Sequence, residues 1–138
     1  MSQSLADAVA NLGRWKYLRG TRGRCLEATW WACQRADAVI AGGKTAWNSF
    51  ELMSQHCGDY DYERARRDSL GRLPGEGGRE GYCVVYFRSA WYKRPILTPK
   101  PGHVGILHGD TIFSDVDHAM TPAWAKRLRG AFVPQEGK

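Results

Sequence analysis

The chain lacks the features that mark membrane, secreted and metal-binding proteins. No run of apolar residues approaches the length of a bilayer-spanning helix, so we expect no transmembrane segment. Residues 1–7 contain neither a basic stretch nor an apolar stretch, so we expect no secretory signal peptide. The four cysteines include no C-x-x-C pair, which argues against a zinc ribbon or a thioredoxin-type site, and we expect their thiols to be reduced.

An excess of basic residues is the clearest feature of the composition. The 138 residues include 20 Lys and Arg against 14 Asp and Glu, which gives a net charge of +6. A basic surface suits an anionic partner such as nucleic acid, a membrane surface or a bacterial wall polymer, although it can also be only a solvated face. The length and the hydrophobic content of 43% fit one globular domain, residues 1–138.

The first half of the chain, about residues 4–70, has the periodicity of helices. Apolar residues at three- and four-residue spacing, interrupted by glycine pairs and turns, predict four helices: Ser4–Leu18, Cys25–Val39, Thr45–Gln55 and Tyr60–Leu70. A glycine-rich connector, Leu73–Gly81, ends this part.

The second part, about residues 82–133, has the character of a sheet. The pattern predicts strands at Tyr82–Phe87, His103–Leu107, Thr111–Asp115 and Ala131–Val133. A proline-containing loop, Ser89–Pro101, and a short helix, Pro122–Arg129, connect them. Helices followed by an antiparallel sheet make an α+β fold.

A cysteine, a histidine and an aspartate, the residue types of a nucleophilic triad, each stand at the end of a predicted element. Cys25 opens a predicted helix, His103 opens a predicted strand, and Asp115 ends the next strand. A thiolate at a helix N-terminus is stabilised by the helix dipole and by a neighbouring imidazolium. The histidine takes and returns the proton, and the third polar group orients the ring.

The position of Asp115 relative to His103 depends on the loop between their strands. A three-residue loop, His108-Gly109-Asp110, would pair Leu107 with Thr111 and place His103 directly opposite Asp115. A two-residue loop would place them on opposite faces unless a bulge intervened. The triad requires the three-residue loop, which we expect. We also expect His108 and His118 at the surface.

Short segments around these residues match the motifs of one enzyme family. Tyr17 stands three residues before Gly20 and just upstream of Cys25, and residues 103–106 read His-Val-Gly-Ile. Asp115 falls where the third polar residue of that family stands, and the neighbouring Asp110, Asp117 and His118 keep that assignment open. In these respects the chain resembles the NlpC-type peptidoglycan peptidases and the related CHAP enzymes, which are cysteine peptidases of the papain-like superfamily.

The resemblance implies a papain-like (NlpC-type) fold and hydrolysis of amide bonds in the peptide of bacterial peptidoglycan. Cys25 would be the nucleophile, His103 the base and then the acid, and Asp115 the residue that holds the imidazole. Three further residues would contact the substrate: Tyr17, Gly20 and Trp30. The resemblance implies no metal, no organic cofactor and no nucleic-acid partner, and we expect a monomer.

The resemblance also bears on how the protein reaches its substrate. Since no signal peptide is predicted, it suggests a bacteriophage lysin, a virion-associated enzyme or an effector. Such a protein is made in the cytoplasm and delivered to the cell wall by phage lysis, by the virion or by a secretion machine.

The residues around Cys25 depart from the family pattern and keep two alternatives open. The NlpC pattern usually reads Asp-Cys-Ser-Gly, whereas residues 24–27 read Arg-Cys-Leu-Glu. The bond that is cleaved is therefore open. One alternative is a papain-like cysteine amidase or peptidase with a substrate outside the wall. The other is a non-catalytic basic module that binds wall polymer or nucleic acid.

If the basic surface guides the chain to an anionic wall, salt should weaken that binding. We expect the fraction of protein that sediments with insoluble peptidoglycan to fall as NaCl rises through about 0.1 M, where the Debye length shrinks below about 10 Å. Binding that does not change with salt would contradict this and would assign the attachment to aromatic residues instead.

Overall fold

The computed structural model describes residues 3–19, 25–88 and 102–135, which form helices packed on one antiparallel sheet. The helices are α1 (Gln3–Arg19), α2 (Cys25–Gln34), α3 (Ala46–His56) and α4 (Pro122–Ala125), and a 3₁₀ turn, Cys57–Tyr60, follows α3. The strands are β1 (Tyr62–Arg64), β2 (Cys83–Phe87), β3 (His103–His108), β4 (Thr111–Phe113), β5 (His118–Ala119) and β6 (Leu128–Pro134). The predicted α+β class is confirmed. The predicted loop Ser89–Pro101 lies outside the described residues.

The first two helices pack against each other through one apolar face of α1. Leu5, Ala8 and Leu12 recur at helical spacing and are fully buried. The Asn11 side chain, in the same interface, donates a hydrogen bond to the Ala32 carbonyl of α2 at 3.0 Å. This packing anchors α2, the helix that begins at Cys25.

The second helix is shorter than its apolar pattern predicts. It ends at Gln34 rather than Val39, because Asp37 adopts a left-handed conformation with φ of 55°. The Ala38 N–H then donates to the Cys33 carbonyl at 2.9 Å, which satisfies a carbonyl at the helix end. Ala38 and Ile40 are nevertheless buried, so the apolar pattern continues where the helix does not.

The sheet has the strand order β1-β6-β2-β3-β4-β5, with every neighbouring pair antiparallel. Its two central strands, β2 and β3, have buried side chains on both faces. The face that packs against α2 and α3, and that shares one core cluster with α1, is here called the helix face. It carries Val84, Tyr86, Val104, Ile106 and Phe132. The opposite face, here called the second face, carries Cys83, Val85, Phe87, Leu107, Ile112 and Ala131.

Two buried tyrosine hydroxyls tie the sheet to the segment after α2 and to α3. The Ser49 hydroxyl donates to the Ala41 carbonyl at 2.6 Å, so the Tyr86 hydroxyl, 2.7 Å away, donates to Ser49. The Tyr62 hydroxyl donates to the Ala38 carbonyl. These bonds satisfy polar atoms that would otherwise be costly to bury.

The predicted helix over Tyr60–Leu70 is wrong. The 3₁₀ turn ends at Tyr60, the next residue, Asp61, is left-handed with φ of 60°, and the chain then forms β1 along β6. Tyr62 is almost completely buried, and this burial outweighs the helix propensity of the charged residues that follow. The next segment is a loop in which the Asp68 carboxylate accepts hydrogen bonds from the Arg72 backbone and guanidinium, both at 2.9 Å.

The turn between β3 and β4 has two residues, Gly109 and Asp110, rather than three. Both have positive φ, 56° and 59°, as a two-residue hairpin of type I′ requires. His108 pairs with Thr111, and the predicted pairing of Leu107 with Thr111 is therefore wrong. The direct opposition of His103 and Asp115, which depended on that pairing, is wrong too.

The close approach of β4 to β3 requires a glycine at position 105. A Cβ atom there would lie 2.7 Å from Ile112 Cγ2 and 2.8 Å from the Phe113 carbonyl oxygen. We expect Gly105→Ala to lower the free energy of unfolding by about 1–3 kcal/mol, the usual cost of overpacking. Denaturant-induced unfolding measures this.

The matched control is Gly13→Ala in α1, where an added Cβ would meet no atom within 4 Å. Since alanine favours a helix over glycine by up to about 1 kcal/mol, this control should be as stable as the wild type or more so. A Gly105→Ala protein as stable as the wild type would contradict the close approach of the two strands.

Candidate active site

One end of the sheet gathers the residues that the sequence singled out. Phe87, at the end of β2, pairs with His103, at the start of β3. The helix α2 contacts β3 and begins at Cys25, which packs against the apolar cluster that contains Val104. Asp115 comes from the bend that follows β4. This end of the sheet is the candidate active site.

The Cys25 thiol is protonated at neutral pH in this structure. Burial, with a smaller effect of the nearby Asp115, raises the pKa of Cys25 to about 11. Hydrogen bonding to the backbone of Val104, Leu26 and Cys25 itself lowers the pKa but does not offset the burial. The expected thiolate at the helix N-terminus is therefore not the resting form, because desolvation disfavours the charged state.

The His103 ring is enclosed by aromatic side chains and contacts a second histidine. Its Nε2 atom lies 3.0 Å from His118 Nε2, within hydrogen-bonding distance. The ring centroids of Phe87 and Trp124 lie 6.0 and 5.0 Å from that of His103. Burial, then His118 and Arg127, lower the pKa of His103 to about 4, against an opposing effect of Asp115. The imidazole is therefore neutral at pH 7.

His118 is a candidate functional residue that the sequence pattern did not indicate. The prediction that it lies at the surface is only partly right, because its half-buried ring stacks on Trp124 with centroids 4.3 Å apart, besides contacting His103. The Arg127 guanidinium lies 3.9 Å from the Trp124 centroid on the same cluster. His118 belongs to a two-residue strand, β5, which is too short to produce a recognisable alternating pattern.

Asp115 reaches the site by a different route from the one predicted. It follows the end of β4 at Phe113 and is only 6% exposed. The Ser114 hydroxyl lies 3.1 Å from an Asp115 carboxylate oxygen and 2.7 Å from the Val104 carbonyl. The charge of Asp115 raises the pKa values of Cys25, His103 and His118, so it lies within electrostatic range of all three.

Cys25 and His103 approach the start of β3 from opposite sides. The Cys25 side chain packs on the helix face, whereas the pleat of β3 directs the His103 ring to the second face, beside Phe87. In the part of the chain that the structure describes, no hydrogen bond joins the thiol to the imidazole. The backbone of Val104, the residue after His103, is the part of β3 that contacts the sulfur.

The three predicted substrate-binding residues are placed only in part. Trp30 is half-buried in α2, and its indole nitrogen would lie 3.6 Å from a Cβ atom added to Gly42. Tyr17 belongs to α1, but its side chain lies outside those described. Gly20 lies outside the described residues altogether. Trp30 therefore packs near the residues that precede α3, and its role in substrate binding, like those of the other two, stays a prediction.

The described residues contain neither a metal-binding cluster nor a membrane-spanning helix. Within residues 3–19, 25–88 and 102–135, no three His, Cys, Asp or Glu side chains are grouped so that they could hold a metal ion. Among the described helices, none is both long enough and apolar enough to cross a bilayer. Cys25, Cys33, Cys57 and Cys83 are all free thiols.

The low pKa of His103 predicts a loss of stability in acid. The fold favours the neutral ring, so its contribution is complete above the ordinary pKa of 6.5 and is lost as the pH falls through about 4. We expect the free energy of unfolding to fall across this window by up to about 3 kcal/mol, and His103→Gln to flatten the profile. A His103→Gln profile as steep as that of the wild type would contradict the prediction.

Comparisons with protein-family models, with curated protein sequences and with solved structures found no match for this chain. The family resemblance therefore depends on the short motifs around Cys25 and His103. Function is inferred from those motifs together with the geometry of the candidate active site.

Proposed function

We propose that this protein is a cysteine hydrolase that cleaves amide bonds in the peptide of bacterial peptidoglycan. The observation that carries the proposal is that Cys25, His103 and His118 all lie at one end of the sheet, within electrostatic range of the buried Asp115. A helix that begins with cysteine and contacts a strand that begins with histidine also fits a papain-like fold of the NlpC type.

In this proposal His118, rather than Asp115, holds the catalytic imidazole. The contact at Nε2 leaves His103 Nδ1, the ring nitrogen nearer the backbone, to accept the proton of Cys25. The sulfur already lies beside the backbone of the next residue, Val104. Proton transfer requires the His103 ring to move toward the helix face when substrate binds. Catalytic hydrogen bonds commonly tighten only in the substrate complex.

The protonation states suit a neutral pair rather than an ion pair. At pH 7 the imidazole, whose pKa is about 4, is unprotonated, and the Cys25 thiol carries the proton to be transferred. The thiol would lose its proton as the sulfur attacks the carbonyl carbon, and the ring would return it to the leaving amine. The charge of Asp115 would stabilise the imidazolium that forms between these steps.

The unusual residues after Cys25 do not argue against this chemistry. Leu26 is buried, so its side chain belongs to the core and does not project into the site. Glu27 is exposed. The backbone N–H groups of Cys25 and Leu26 at the start of α2 are suited to hold the developing oxyanion.

The basic charge supports the wall as the substrate, and the lysin, virion or effector route of delivery goes with that proposal. Cysteine hydrolysis of a non-wall amide stays as the second candidate, since the residues around Cys25 differ from the NlpC pattern. A purely binding module is the third, and loss of the thiol would leave its activity intact.

Digestion of purified peptidoglycan, with identification of the released fragments, tests the proposal. Cys25→Ala should abolish fragment release. His118→Ala should lower its rate by about 10²-fold or more, because the residue that orients a catalytic imidazole fixes its tautomer. Asp115→Asn should have a smaller effect than His118→Ala, because Asp115 acts through its charge rather than by holding the ring.

The matched thiol control is Cys57→Ser, a half-buried cysteine that opens the 3₁₀ turn, which should retain full activity. Fragment release by Cys25→Ala would exclude the thiol mechanism. An Asp115 variant that is more impaired than the His118 variant would return the orienting role to Asp115.

A further inference from the structure

A β-bulge lies beside the candidate active site, on the strand β6. Tyr86 of β2 pairs with Gly130, but its neighbour Phe87 pairs with Leu128, so Arg129 is the extra residue. A bulge redirects the side chain of its extra residue, and bulges are frequent next to functional sites. Here the redirected side chain is a guanidinium.

The Arg129 guanidinium lies over two aromatic rings of α3. Its central carbon lies 3.5 Å from the Trp47 ring centroid and 4.6 Å from that of Phe50. One of its terminal nitrogens, Nη1, is buried and has no hydrogen-bond partner among the described residues. The side chain as a whole is half-exposed, so the group is held in one orientation while part of it faces solvent.

The charges around Arg129 do not neutralise it within the described part of the chain. Burial and the neighbouring Arg88 lower its pKa, which outweighs the opposite effect of Glu51. No ion pair between Arg129 and Glu51 is present among the residues that the structure describes. Arg64 provides the contrast, because it lies 5.6 Å from the Phe132 ring but donates hydrogen bonds to the Ser54 carbonyl and hydroxyl.

We propose that Arg129, with Arg88 beside it, binds a free carboxylate of the substrate, a subsite that rests on the hydrolase function proposed above. A guanidinium that is held in place by aromatic rings can present paired N–H donors to a carboxylate on the side that faces solvent. Arg88 supplies a second positive charge from the same end of the sheet.

The distance to the reacting residues sets the length of that substrate. β6 and β3 flank β2, and strands lie about 4.8 Å apart, so the subsite is about 10 Å from the start of β3. An extended peptide spans this distance in about three residues. Trp47 lies next to both the Arg129 subsite and the start of β3. Its ring contacts Arg129, and its backbone nitrogen would lie 3.6 Å from a Cβ atom added to Gly102, next to His103. The substrate class is therefore an acyl peptide with a carboxylate about three residues from the scissile bond.

The test measures binding separately from catalysis, in the full chain carrying Cys25→Ala. The probes are trialanine and its C-terminal amide, which differ only in the carboxylate, titrated by calorimetry. We expect the acid to bind about tenfold more tightly than the amide. Arg129→Gln should abolish this preference, and Arg129→Lys should retain part of it, because lysine keeps the charge but not the paired donors.

Arg64→Gln is the matched control. Arg64 lies on β1, the strand next to β6, and its guanidinium already donates hydrogen bonds within the protein. This substitution should leave the preference unchanged. Equal binding of acid and amide by the Cys25→Ala protein would overturn the proposal, as would a preference that survives Arg129→Gln. Thermal unfolding checks that each variant is folded. If Arg129→Gln does not fold, the Arg129→Lys protein still tests the proposal, because it should retain only part of the preference for the acid.

Two further arms distinguish a carboxylate subsite from a phosphate site and from the proposed wall function. Inorganic phosphate that displaces trialanine at concentrations below the peptide's own Kd would assign the site to phosphate and overturn the carboxylate proposal. If the wild-type chain digests no peptidoglycan but the preference for the acid depends on Arg129, the proposed wall function is refuted and this subsite stands. If the wild-type chain digests peptidoglycan but shows no preference for the acid, the carboxylate subsite is refuted and the proposed wall function stands.

Discussion

Burial of the two central strands on both faces is the constraint on which the rest of the structure depends. The helix face of β2 and β3 is covered by α2 and α3, and the second face is covered by α4 and the segments around it. Because both covers extend to the end of the sheet, Cys25 and His103 are desolvated from opposite sides. Desolvation raises the pKa of the thiol and lowers that of the imidazole, so the same packing that forms the core makes the resting pair neutral.

The elements that depend on hydrophobic periodicity were predicted well from the sequence, and those that depend on single backbone conformations were not. The first and third helices and the strands at residues 83–87 and 103–108 follow from apolar spacing alone. The region after Tyr60 was misassigned, because its charged residues suit a helix while the burial of Tyr62 requires a strand. Two residues in left-handed conformations, Asp37 and Asp61, terminate helical segments. Neither is a glycine or a proline, so these ends could not be predicted from the usual helix-breaking residues.

The candidate site shows the same division. Cys25 at a helix start and His103 at a strand start were predictable, since each is a position within one element. The neighbour of His103 was not, because it depends on register. One residue fewer in the turn at Gly109 and Asp110 removed the predicted opposition with Asp115, and the chain beyond β4 then returned to place His118 beside the ring. Arg129 was not predicted for a related reason. The bulge interrupts the alternation of apolar and polar residues from which a strand is predicted.

The hairpin tip at Asp110 is bonded from three directions. Its N–H donates to the Gly75 carbonyl at 2.8 Å, its carboxylate accepts from the Gly77 N–H at 2.6 Å, and its carbonyl accepts from the Met120 N–H at 2.8 Å. Exposed loop tips are normally the places where a chain accepts inserted sequence. This tip is not such a place, because lengthening it would release β5 and with it His118. The turn around Leu70, which is 73% exposed and bonded only to nearby residues, is where a reporter or an affinity tag could be inserted without reaching the site.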